Sequence, residues 1–577
     1  MYPTFDKIRE MAAGDYKRIP ICKELYADSY TPVEMMRILQ KASHHCYLLE
    51  SASQSEAWGR YSFLGYDPSM EITCTDGILR IRKTSKTETF GRSGNAAESS
   101  TEEVRQVAHP GDAIREIISQ YKSPVMDDMP TFTGGLVGYF SYDYIKYSEP
   151  KLELKDKEQQ DFRDLDLMLF NDVIAFDHYR QKVLLITGVM TDDLEKSYKQ
   201  ACEKLEEMTE LIKKGEKKIF PPIRLKSEIQ PQFPKEKYCQ MVETAKHYIH
   251  EGDIFQVVLS NPMRAKAEGS LFDTYRVLRA TNPSPYMFYF SSDDIEIAGA
   301  SPETLVKLDH GKLSTFPLAG TRPRGKTPEE DKALEADLLQ DEKELAEHNM
   351  LVDLGRNDIG KISELGSVKV EKYLTVERYS CVMHLGSTVT GTIKKGKDAI
   401  DAVDAILPAG TLSGAPKFRA CQIMQELEQS KYYIYIMQLR FDYLFQVEYR
   451  IDETLLQYKI IKFSLQPFIE NAIIHGFTDF QQEGTLSISI LRNNDSRIQI
   501  QISDDGHGMS FDTLDGLKEA FSSIQNSPSR RLENDGIGIA NTHQRLLQYF
   551  GRDYEIRMES SLETGTVVTL LLPRVLV

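Results

Sequence analysis

The stretch DEKELAEHNMLVDLGRNDIG, at Asp341–Gly360, contains the pattern on which the fold assignment depends. It predicts the second half of a long helix that runs from Pro328 to about Leu354. Glu344 and Glu347 lie three residues apart, so one helix face carries both carboxylates. From spacing alone, such a pair indicates an acidic, solvated helix face.

Phrases on both sides of this helix place polar residues next to glycine, proline and apolar residues. They are LLES at Leu48–Ser51, WGRYSFLG at Trp58–Gly65, GDIFQVVLS at Gly252–Ser260, NPSPYMF at Asn282–Phe288, SPETLVK at Ser301–Lys307, PLAGTRPRG at Pro317–Gly325, VMHLGSTV at Val382–Val389 and PAGTLSGAPK at Pro408–Lys417. In this order and spacing, the phrases resemble component I of anthranilate synthase, a chorismate-binding enzyme. The resemblance covers about residues 1–430.

The resemblance implies an α+β fold with two facing, antiparallel-rich sheets and helices outside them. It divides the region into residues 1–215, an N-terminal part of the tryptophan-binding type, and residues 216–430, the chorismate-binding catalytic part. Such enzymes convert chorismate and ammonia to anthranilate and pyruvate with Mg²⁺, in tryptophan biosynthesis. The chain has no evident glutaminase constellation, so a separate glutamine amidotransferase subunit is expected to supply the ammonia.

The resemblance also assigns metal-binding, catalytic and substrate-binding residues. Glu344 and Glu347 correspond to glutamates that face the Mg²⁺ ion, which binds proteins through one or two carboxylates together with a substrate. His384 corresponds to a histidine beside the ring hydroxyl that leaves, where an imidazole can transfer a proton; the alternative is a core histidine. Thr411 lies in a turn whose N–H groups and hydroxyl can hold a carboxylate; the alternative is an ordinary tight turn. The substrate-binding candidates in this turn are Gly410, Thr411, Ser413 and Gly414.

Two positions favour ammonia as the nucleophile. Aminodeoxychorismate synthases typically carry a lysine nucleophile where this chain has Ala319, which cannot form a covalent intermediate. Isochorismate and salicylate synthases typically carry a lysine base for water where this chain has Gln256. We therefore count Gln256, with His384 and Thr411, among the catalytic candidates.

The LLES and NPSPYMF phrases resemble the pocket in which L-tryptophan acts as feedback inhibitor. The alternative for these phrases is apolar core followed by a proline-bounded turn. The inhibitor-binding candidates are Ser51, Asn282, Pro283, Ser284, Tyr286 and Met287.

The resemblance ends after Gln429. The family continues with a Tyr-Gly-Gly strand, an Ile-Arg-Thr strand whose arginine binds a substrate carboxylate, and a late helix with further Mg²⁺-binding glutamates. None of these phrases follows here. Part of the metal set and a carboxylate clamp would therefore be absent, and we expect little anthranilate synthase activity from this chain alone.

Residues 431–577 carry a second resemblance, to the ATP-binding domain of sensor histidine kinases, an α/β sandwich with a mixed sheet. The phrases are LQPFIENAIIHGF at Leu465–Phe477, DDGHGM at Asp504–Met509, GIGIANTHQRL at Gly536–Leu546 and GTVVTLLLP at Gly565–Pro573. A lone Gly-x-Gly is usually a plain turn, whereas these phrases occur in the order of the family.

Each phrase implies part of an ATP site. Asn471 would hold Mg²⁺ at the phosphates, and Asp504 would accept the adenine amino hydrogen. The glycines would allow close backbone approach and offer N–H groups to phosphate. The ATP-binding candidates are Glu470, Asn471, His475, Asp504, Gly506, Gly508, Gly536, Gly538 and Thr566.

Two incomplete modules thus meet near Ser430–Tyr433 without a polar linker, which suggests a chimera formed by recombination or a frameshift. The first hypothesis is an anthranilate synthase component I with a foreign tail. The second is the ATP-binding fragment of a two-component histidine kinase behind a non-catalytic front half.

Composition and charge argue against several classes of protein. The net charge of −17 argues against nucleic-acid binding, which needs basic patches. The seven cysteines form no Cys-x-x-Cys pair, which is typical of reduced thiols in the cytoplasm. No apolar run reaches about 18 residues, so no membrane segment is expected.

Overall fold

The chain divides into two compact units, Met1–Leu427 and Glu428–Val577. Each unit is described by itself below. In this computed structural model the described residues are 1–51, 59–85, 99–152, 162–379, 382–440, 445–455, 465–472, 484–493, 496–510, 513–516, 543, 546–547, 549–551, 553–562 and 564–574.

The first unit is built largely from antiparallel strands. They are β1 Arg18–Tyr26, β2 Cys46–Glu50, β3 Tyr61–Tyr66, β4 Met70–Thr75, β5 Ile78–Ser85, β6 Ser99–Gln106, β7 Gly135–Phe140, β8 Leu165–Phe170, β9 Val173–Asp177, β10 Lys182–Met190, β11 Arg224–Leu225, β12 Gln230–Pro231, β13 Gln256–Val257, β14 Met263–Arg264, β15 Ala267–Glu268, β16 Tyr286–Ser291, β17 Glu296–Ser301, β18 Lys307–Asp309, β19 Lys312–Thr315, β20 Leu318–Pro323, β21 Lys369–Arg378, β22 Val382–Thr392 and β23 Gly414–Ala415.

The first unit also contains helices. They are α1 Phe5–Ala12, α2 Pro32–Ala42, α3 Pro110–Ser119, α4 Ile145–Ser148, α5 Leu194–Lys214, α6 Lys235–His250, α7 Phe272–Thr281, α8 Pro328–Leu338, α9 Glu342–Gly360 and α10 Ala399–Ile406. α11 Lys417–Arg440 begins in the first unit and ends in the second.

The single helix predicted across α8 and α9 is wrong, because the chain forms two helices. The side chain of Asp341 begins α9 by accepting hydrogen bonds from the N–H groups of Lys343 and Glu344, at 3.0 and 3.1 Å. α9 then continues past Gly355. A Cβ at Gly355 would lie 3.2 Å from Thr315 of β19, so this glycine permits close helix–strand packing and does not end the helix.

Two sheets share the N-terminal part of the first unit. The first sheet has the order β1-β10-β9-β3-β2-β16-β17, and the second has the order β6-β5-β4-β8-β7. One face of the first sheet packs on α1, α2, α5 and α7 through a core that includes Leu48, Leu185 and Tyr289. The two sheets meet at a cluster of buried residues, namely Tyr47, Met168, Phe170 and Phe290.

A third sheet carries the candidate catalytic region. Its order is β18-β19-β22-β20, and β21 also pairs with β22. α9 and α10 cover it through Val352, Ile359 and Ile406, which pack against Leu313 and Val389.

The second unit contains a mixed five-stranded sheet. Its elements are β24 Phe445–Ile451, α12 Gln466–Asn471, β25 Gly484–Arg492, β26 Arg497–Asp504, β27 Glu555–Ser561 and β28 Gly565–Pro573. The order is β24-β25-β26-β28-β27, with β24 parallel to β25 and the other pairs antiparallel. Phe468 of α12 is buried against Leu486, Ile500 and Leu570 of the sheet.

The predicted α+β class, with antiparallel-rich sheets in the first unit and a mixed sheet in the second unit, is confirmed. Along the described part of the chain, no helix is both long enough and apolar enough to cross a bilayer. The division of the first unit at residues 215 and 216 stays a prediction.

Replacing Leu385 by alanine tests the packing of the third sheet. Leu385 is fully buried with Leu338 and Met383, so we expect Leu385→Ala to lower the free energy of unfolding by about 2–5 kcal/mol. Leu365→Ala is the matched control, because Leu365 is fully exposed and should change stability by less than about 0.5 kcal/mol. Urea unfolding of both variants measures the difference, and equal stabilities would contradict the assigned core.

Candidate functional site

A bulge in the third sheet organises the candidate catalytic site. Ala319 of β20 pairs with Leu385 of β22, while the next pair is Thr321 with His384, so Gly320 is an extra residue between them. Gly320 has φ +73°, a left-handed conformation that favours glycine. The bulge turns the Gly320 carbonyl and the His384 ring toward each other.

His384 is oriented by this bulge. Its Nδ1 lies 3.0 Å from the Gly320 carbonyl oxygen and 3.1 Å from Thr321 Oγ1. The ring of Tyr379 packs edge-on against the imidazole, at 5.6 Å between centroids. A carbonyl can only accept, so the Gly320 contact places the proton on Nδ1 and leaves a lone pair on Nε2 for chemistry.

Glu344 lies against the same glycine. Its Oε2 atom is 3.2 Å from the position of a Cβ at Gly320. Its Oε1 atom is 3.9 Å from the Arg322 guanidinium. Glu347, one turn further along α9, is also half-buried. The structure therefore brings both Glu344 and His384 next to Gly320.

The next residue on this helix has a different role. His348 is fully buried, and its Nε2 lies 2.6 Å from Ser387 Oγ of β22. Burial lowers the pKa of His348, which favours the neutral ring. We interpret His348 as a residue of α9 that packs against the third sheet.

The donor set at α9 suits a hard cation that the substrate also binds. Glu344 and Glu347 supply two half-buried carboxylates on one helix face, which is the number Mg²⁺ commonly takes from a protein when a substrate supplies further oxygens. No group of three or more His, Cys, Asp or Glu side chains in the described ranges could hold a metal ion. The role of the two glutamates as metal ligands stays a prediction.

The predicted substrate-binding turn forms a short 3-10 helix at Gly410–Leu412. The Thr411 hydroxyl lies 3.1 and 3.0 Å from the two carboxylate oxygens of Glu303. Burial raises the pKa of Glu303. A cavity of about 30 Å³ adjoins both side chains, which is room for a water or two.

Ser413 and Gly414 are buried, and each fixes the backbone of the turn. The Ser413 hydroxyl donates to the Ala409 carbonyl at 2.8 Å. Val257 of β13 pairs with Gly414, and Gln256 pairs with Ala415 of β23. The Gln256 side-chain oxygen is buried and accepts no hydrogen bond from the described residues. The structure therefore brings Gln256 to the predicted turn.

A buried ion pair attaches this turn to α9. Lys417 Nζ lies 2.5 Å from Asp358 Oδ2 and donates to the Ile406 carbonyl at 2.8 Å. Both charged side chains are almost fully buried. The pair holds the turn that carries Thr411 beside the helix that carries the two glutamates.

A second cavity lies between β2, β16 and α7 and measures about 180 Å³. The pairing of Glu50 with Met287 across β2 and β16 brings the LLES and NPSPYMF phrases together. Ser51 and Met287 line this cavity, with Arg276. Glu50 is buried and accepts hydrogen bonds from Tyr275 at 2.7 Å and from Arg279 at 3.0 Å.

The remaining inhibitor-binding candidates are not in the cavity lining. Asn282 is exposed after α7, and its carbonyl accepts a hydrogen bond from the buried Ser284 hydroxyl at 3.3 Å. Pro283 is half-buried. The Tyr286 hydroxyl is hydrogen-bonded to the Thr304 hydroxyl. These residues shape the turn that leads into β16.

In the second unit, Asp504 closes β26 opposite Thr566. Asp504 is buried, and its Oδ1 accepts a hydrogen bond from the Gly506 N–H at 3.1 Å. Burial raises the pKa of Asp504 to about 6. Gly508 has φ +62°, and a Cβ there would lie 1.9 Å from the Ser561 carbonyl oxygen, so only glycine fits.

Asn471 is half-buried at the end of α12. The Asp504, Gly506, Gly508 and Thr566 positions lie together, at the adjoining ends of β26 and β28. Several ATP-binding candidates lie outside the described residues: the side chain of Glu470, and His475, Gly536 and Gly538.

Sequence reasoning missed several residues that the structure places at these sites. Glu303, Gly320 and Thr321 surround the catalytic candidates, and Glu50 and Arg279 surround the second cavity. A signal for Glu303 existed, because it is an acidic residue within the SPETLVK phrase, two residues after the end of β17. The contacts of Gly320 and Arg279 depend on strand register and on residues far away in sequence.

Comparison with known families agrees with both resemblances. Residues 44–436 match the family described as chorismate binding enzyme. Residues 459–576 match the family described as histidine kinase-, DNA gyrase B-, and HSP90-like ATPase.

Individual relatives point the same way. Anthranilate synthase component 1 of Acetivibrio thermocellus is 40% identical over 438 residues, which cover 74% of this chain and 85% of the relative. That of Aquifex aeolicus is 39% identical over 436 residues, covering 75% and 85%. The crystal structure of component I from Streptococcus pneumoniae TIGR4 superposes with a TM-score of 0.53 at 38% identity, over 65% of this chain and 78% of that chain.

The ordered phrases, the antiparallel sheets around Gly320 and these relatives lead to one assignment. The chain belongs to the chorismate-binding enzyme family, with anthranilate synthase component 1 proteins as its relatives, and it continues into an ATPase domain of the histidine kinase, DNA gyrase B and HSP90 type.

Proposed function

We propose that the first unit is an anthranilate synthase component I, which converts chorismate and ammonia to anthranilate and pyruvate. The observation that carries the proposal is the meeting of Glu344 and His384 at Gly320. The proposal is supported because a carboxylate that could bind a metal and an imidazole that could transfer a proton both lie next to Gly320, and chemistry on a dicarboxylate with a poor leaving group needs both groups.

His384 would act at the ring hydroxyl. Ammonia forms a carbon–nitrogen bond to the ring, the carbon–oxygen bond of the hydroxyl breaks, and the hydroxyl takes a proton and leaves as water. With Nδ1 held by Gly320, the Nε2 side of His384 can deliver that proton once it is protonated. The ring carbon that carries the new nitrogen then loses its proton, the carbon–oxygen bond from the ring to the enolpyruvyl group breaks, and the leaving group takes up a proton, which gives pyruvate and the aromatic ring.

Glu344 and Glu347 would hold Mg²⁺ together with a carboxylate of chorismate, and the ion would supply charge neutralisation for that carboxylate. Around it, Thr411, Ser413 and Gly414 would fix the position of the substrate. Glu303, whose pKa is raised by burial, keeps the Thr411 hydroxyl oriented.

Gln256 and Ala319 support ammonia as the nucleophile. Gln256 adjoins the substrate-binding turn and cannot abstract a proton from water, and Ala319 cannot form a covalent adduct. We propose that a separate glutamine amidotransferase subunit supplies the ammonia and that the reaction takes place in the cytoplasm.

L-Tryptophan is the proposed ligand of the second cavity. The cavity of about 180 Å³ is smaller than typical sites for drug-sized ligands, so it suits a small molecule. Ser51, Arg276 and Met287 offer a hydroxyl, a cation and an apolar surface, which are the groups that an aromatic amino acid needs.

A second function is proposed for the second unit, namely ATP binding with Mg²⁺. Asp504 would accept the adenine amino hydrogen, and Asn471 would face the metal and phosphates. If the first unit proves inactive, the chain would be the ATP-binding fragment of a two-component histidine kinase behind a non-catalytic front half.

Glu344→Gln tests the metal role in the first unit. Loss of one carboxylate should weaken Mg²⁺-dependent chorismate binding by about 10-fold or more, as measured by titration calorimetry. Glu342→Gln is the matched control, since Glu342 is exposed on the first turn of the same helix. Equal affinities for the two variants would contradict the proposed ligand.

Turnover of the chain by itself should be low. With chorismate, Mg²⁺ and ammonium, we expect anthranilate formation at least about 100-fold below that of the Acetivibrio thermocellus relative, since loss of one charge-stabilising group costs a factor of that order. Anthranilate fluorescence measures both proteins under one condition. Comparable rates would refute the loss of the carboxylate clamp.

Asp504→Asn tests the nucleotide site. Removing the charge should weaken ATP binding by about 10- to 100-fold, whereas Asp505→Asn, an exposed neighbour, should bind as the unaltered chain does. Because burial raises the pKa of Asp504 to about 6, protonation should also weaken binding as the pH falls through about 6. In Asp504→Asn, any remaining change of affinity with pH comes from the ATP phosphates. If the unaltered chain and Asp504→Asn showed the same dependence of ATP affinity on pH, the role of Asp504 would be contradicted.

A further inference from the structure

One edge of the second sheet is apolar and unprotected. β7 has the sequence GLVGYF, without a charge or a proline. In the described ranges it pairs with β8 on one side and with no strand on the other. Such an edge presents free N–H and C=O groups together with an apolar surface, which proteins normally avoid.

The first sheet has a similar edge nearby. β17, with the sequence EIAGAS, pairs with β16 and is the last strand of its sheet. Val137 of β7 and Ile297 of β17 pack against the same buried cluster between the sheets. The rings of Tyr139 and Phe290 also meet there, at 6.5 Å between centroids. The two open edges therefore flank one apolar cluster.

The opposite edge of the second sheet shows the usual protection. β6 carries Glu102, Glu103 and Arg105, which form exposed ion pairs along the strand. Charged side chains of this kind discourage pairing with another chain. The contrast between β6 and β7 indicates that the β7 edge is built to be covered.

The comparisons indicate what covers it. The match to the chorismate-binding family ends at residue 436, and the chain enters a different family at residue 459. The relatives are matched over 85% of their length, so each has a segment without a counterpart in this chain. A segment that completes this fold needs strand edges to join, and among the edge strands of the described first unit, β7 and β17 flank the same apolar cluster.

We propose that the edges of β7 and β17 form a docking surface for the missing component I segment, supplied by a separate polypeptide. The incoming segment adds a strand through main-chain hydrogen bonds to the open edges, and alternate side chains of that strand cover Val137 and Ile297. The docking rests on strand pairing, whereas any recovery of catalysis rests also on the proposed function.

The test uses the full chain and one defined probe: the part of Acetivibrio thermocellus component 1 beyond its match to this chain, made as a separate polypeptide. Hydrogen exchange with and without the probe should show slower exchange in residues 135–140 and 296–301, and unchanged exchange in residues 99–106 of β6. Absence of binding, or protection elsewhere only, overturns the proposal. Protection of the same residues without the probe, at concentrations where the chain dimerises, assigns the surface to a second copy and also overturns it.

A pair of proline variants sharpens the test. Leu136→Pro removes an N–H from the outer side of β7, and Val104→Pro makes the same change on β6, where Val104 is 53% exposed. Probe binding should weaken at least about 10-fold for Leu136→Pro and less than about 2-fold for Val104→Pro. Equal affinities overturn the proposal, and circular dichroism verifies folding; if Leu136→Pro unfolds, the exchange result on the unaltered chain decides.

Anthranilate formation separates the two proposals. Slower exchange at both edges with restored turnover supports docking and the proposed function together. Slower exchange without turnover supports docking and counts against the proposed function of the first unit.

Discussion

The buried ion pair between Lys417 and Asp358 is the constraint on which the candidate catalytic site depends. Two charges inside a protein are costly to desolvate, and neither can remain there without the other. Burial lowers the pKa of Lys417 and raises that of Asp358, which shows how strongly the surroundings oppose an isolated charge. The pair therefore keeps the turn that follows α10 in one position against α9. This contact therefore fixes the position of the Thr411 hydroxyl relative to the glutamates of α9.

Much of the fold follows from local sequence patterns. α8 begins at Pro328, where the sequence predicts the start of a helix, and the Thr327 hydroxyl there accepts a hydrogen bond from the Glu330 N–H at 3.2 Å. Helical periodicity could not predict the division between α8 and α9, because the division depends on which hydrogen bonds the Asp341 side chain accepts in the folded protein. That side chain accepts from Arg322 at 2.8 Å as well as from the first N–H groups of α9, and the second partner comes from a strand 19 residues earlier.

The candidate site was predictable in its residue types and less so in its geometry. The phrases identify His384, Glu344 and Thr411, because each type suits the chemistry of a dicarboxylate. The residues that orient them, Gly320 and Glu303, are brought in by a bulge and by a contact 108 residues away in sequence. Likewise, the order of the first sheet places β16 beside β2, and no local pattern specifies that pairing. Long-range strand register is the information that a single sequence conveys least.

The open apolar edge of β7 has a consequence for the life of the protein in a cell. Chaperones and proteases recognise exposed apolar strands as a mark of incomplete folding. We expect such an edge to make the chain a substrate for this machinery, even when both of its cores are well packed. Its abundance in a cell would then depend on whether degradation or a covering polypeptide reaches the edge first.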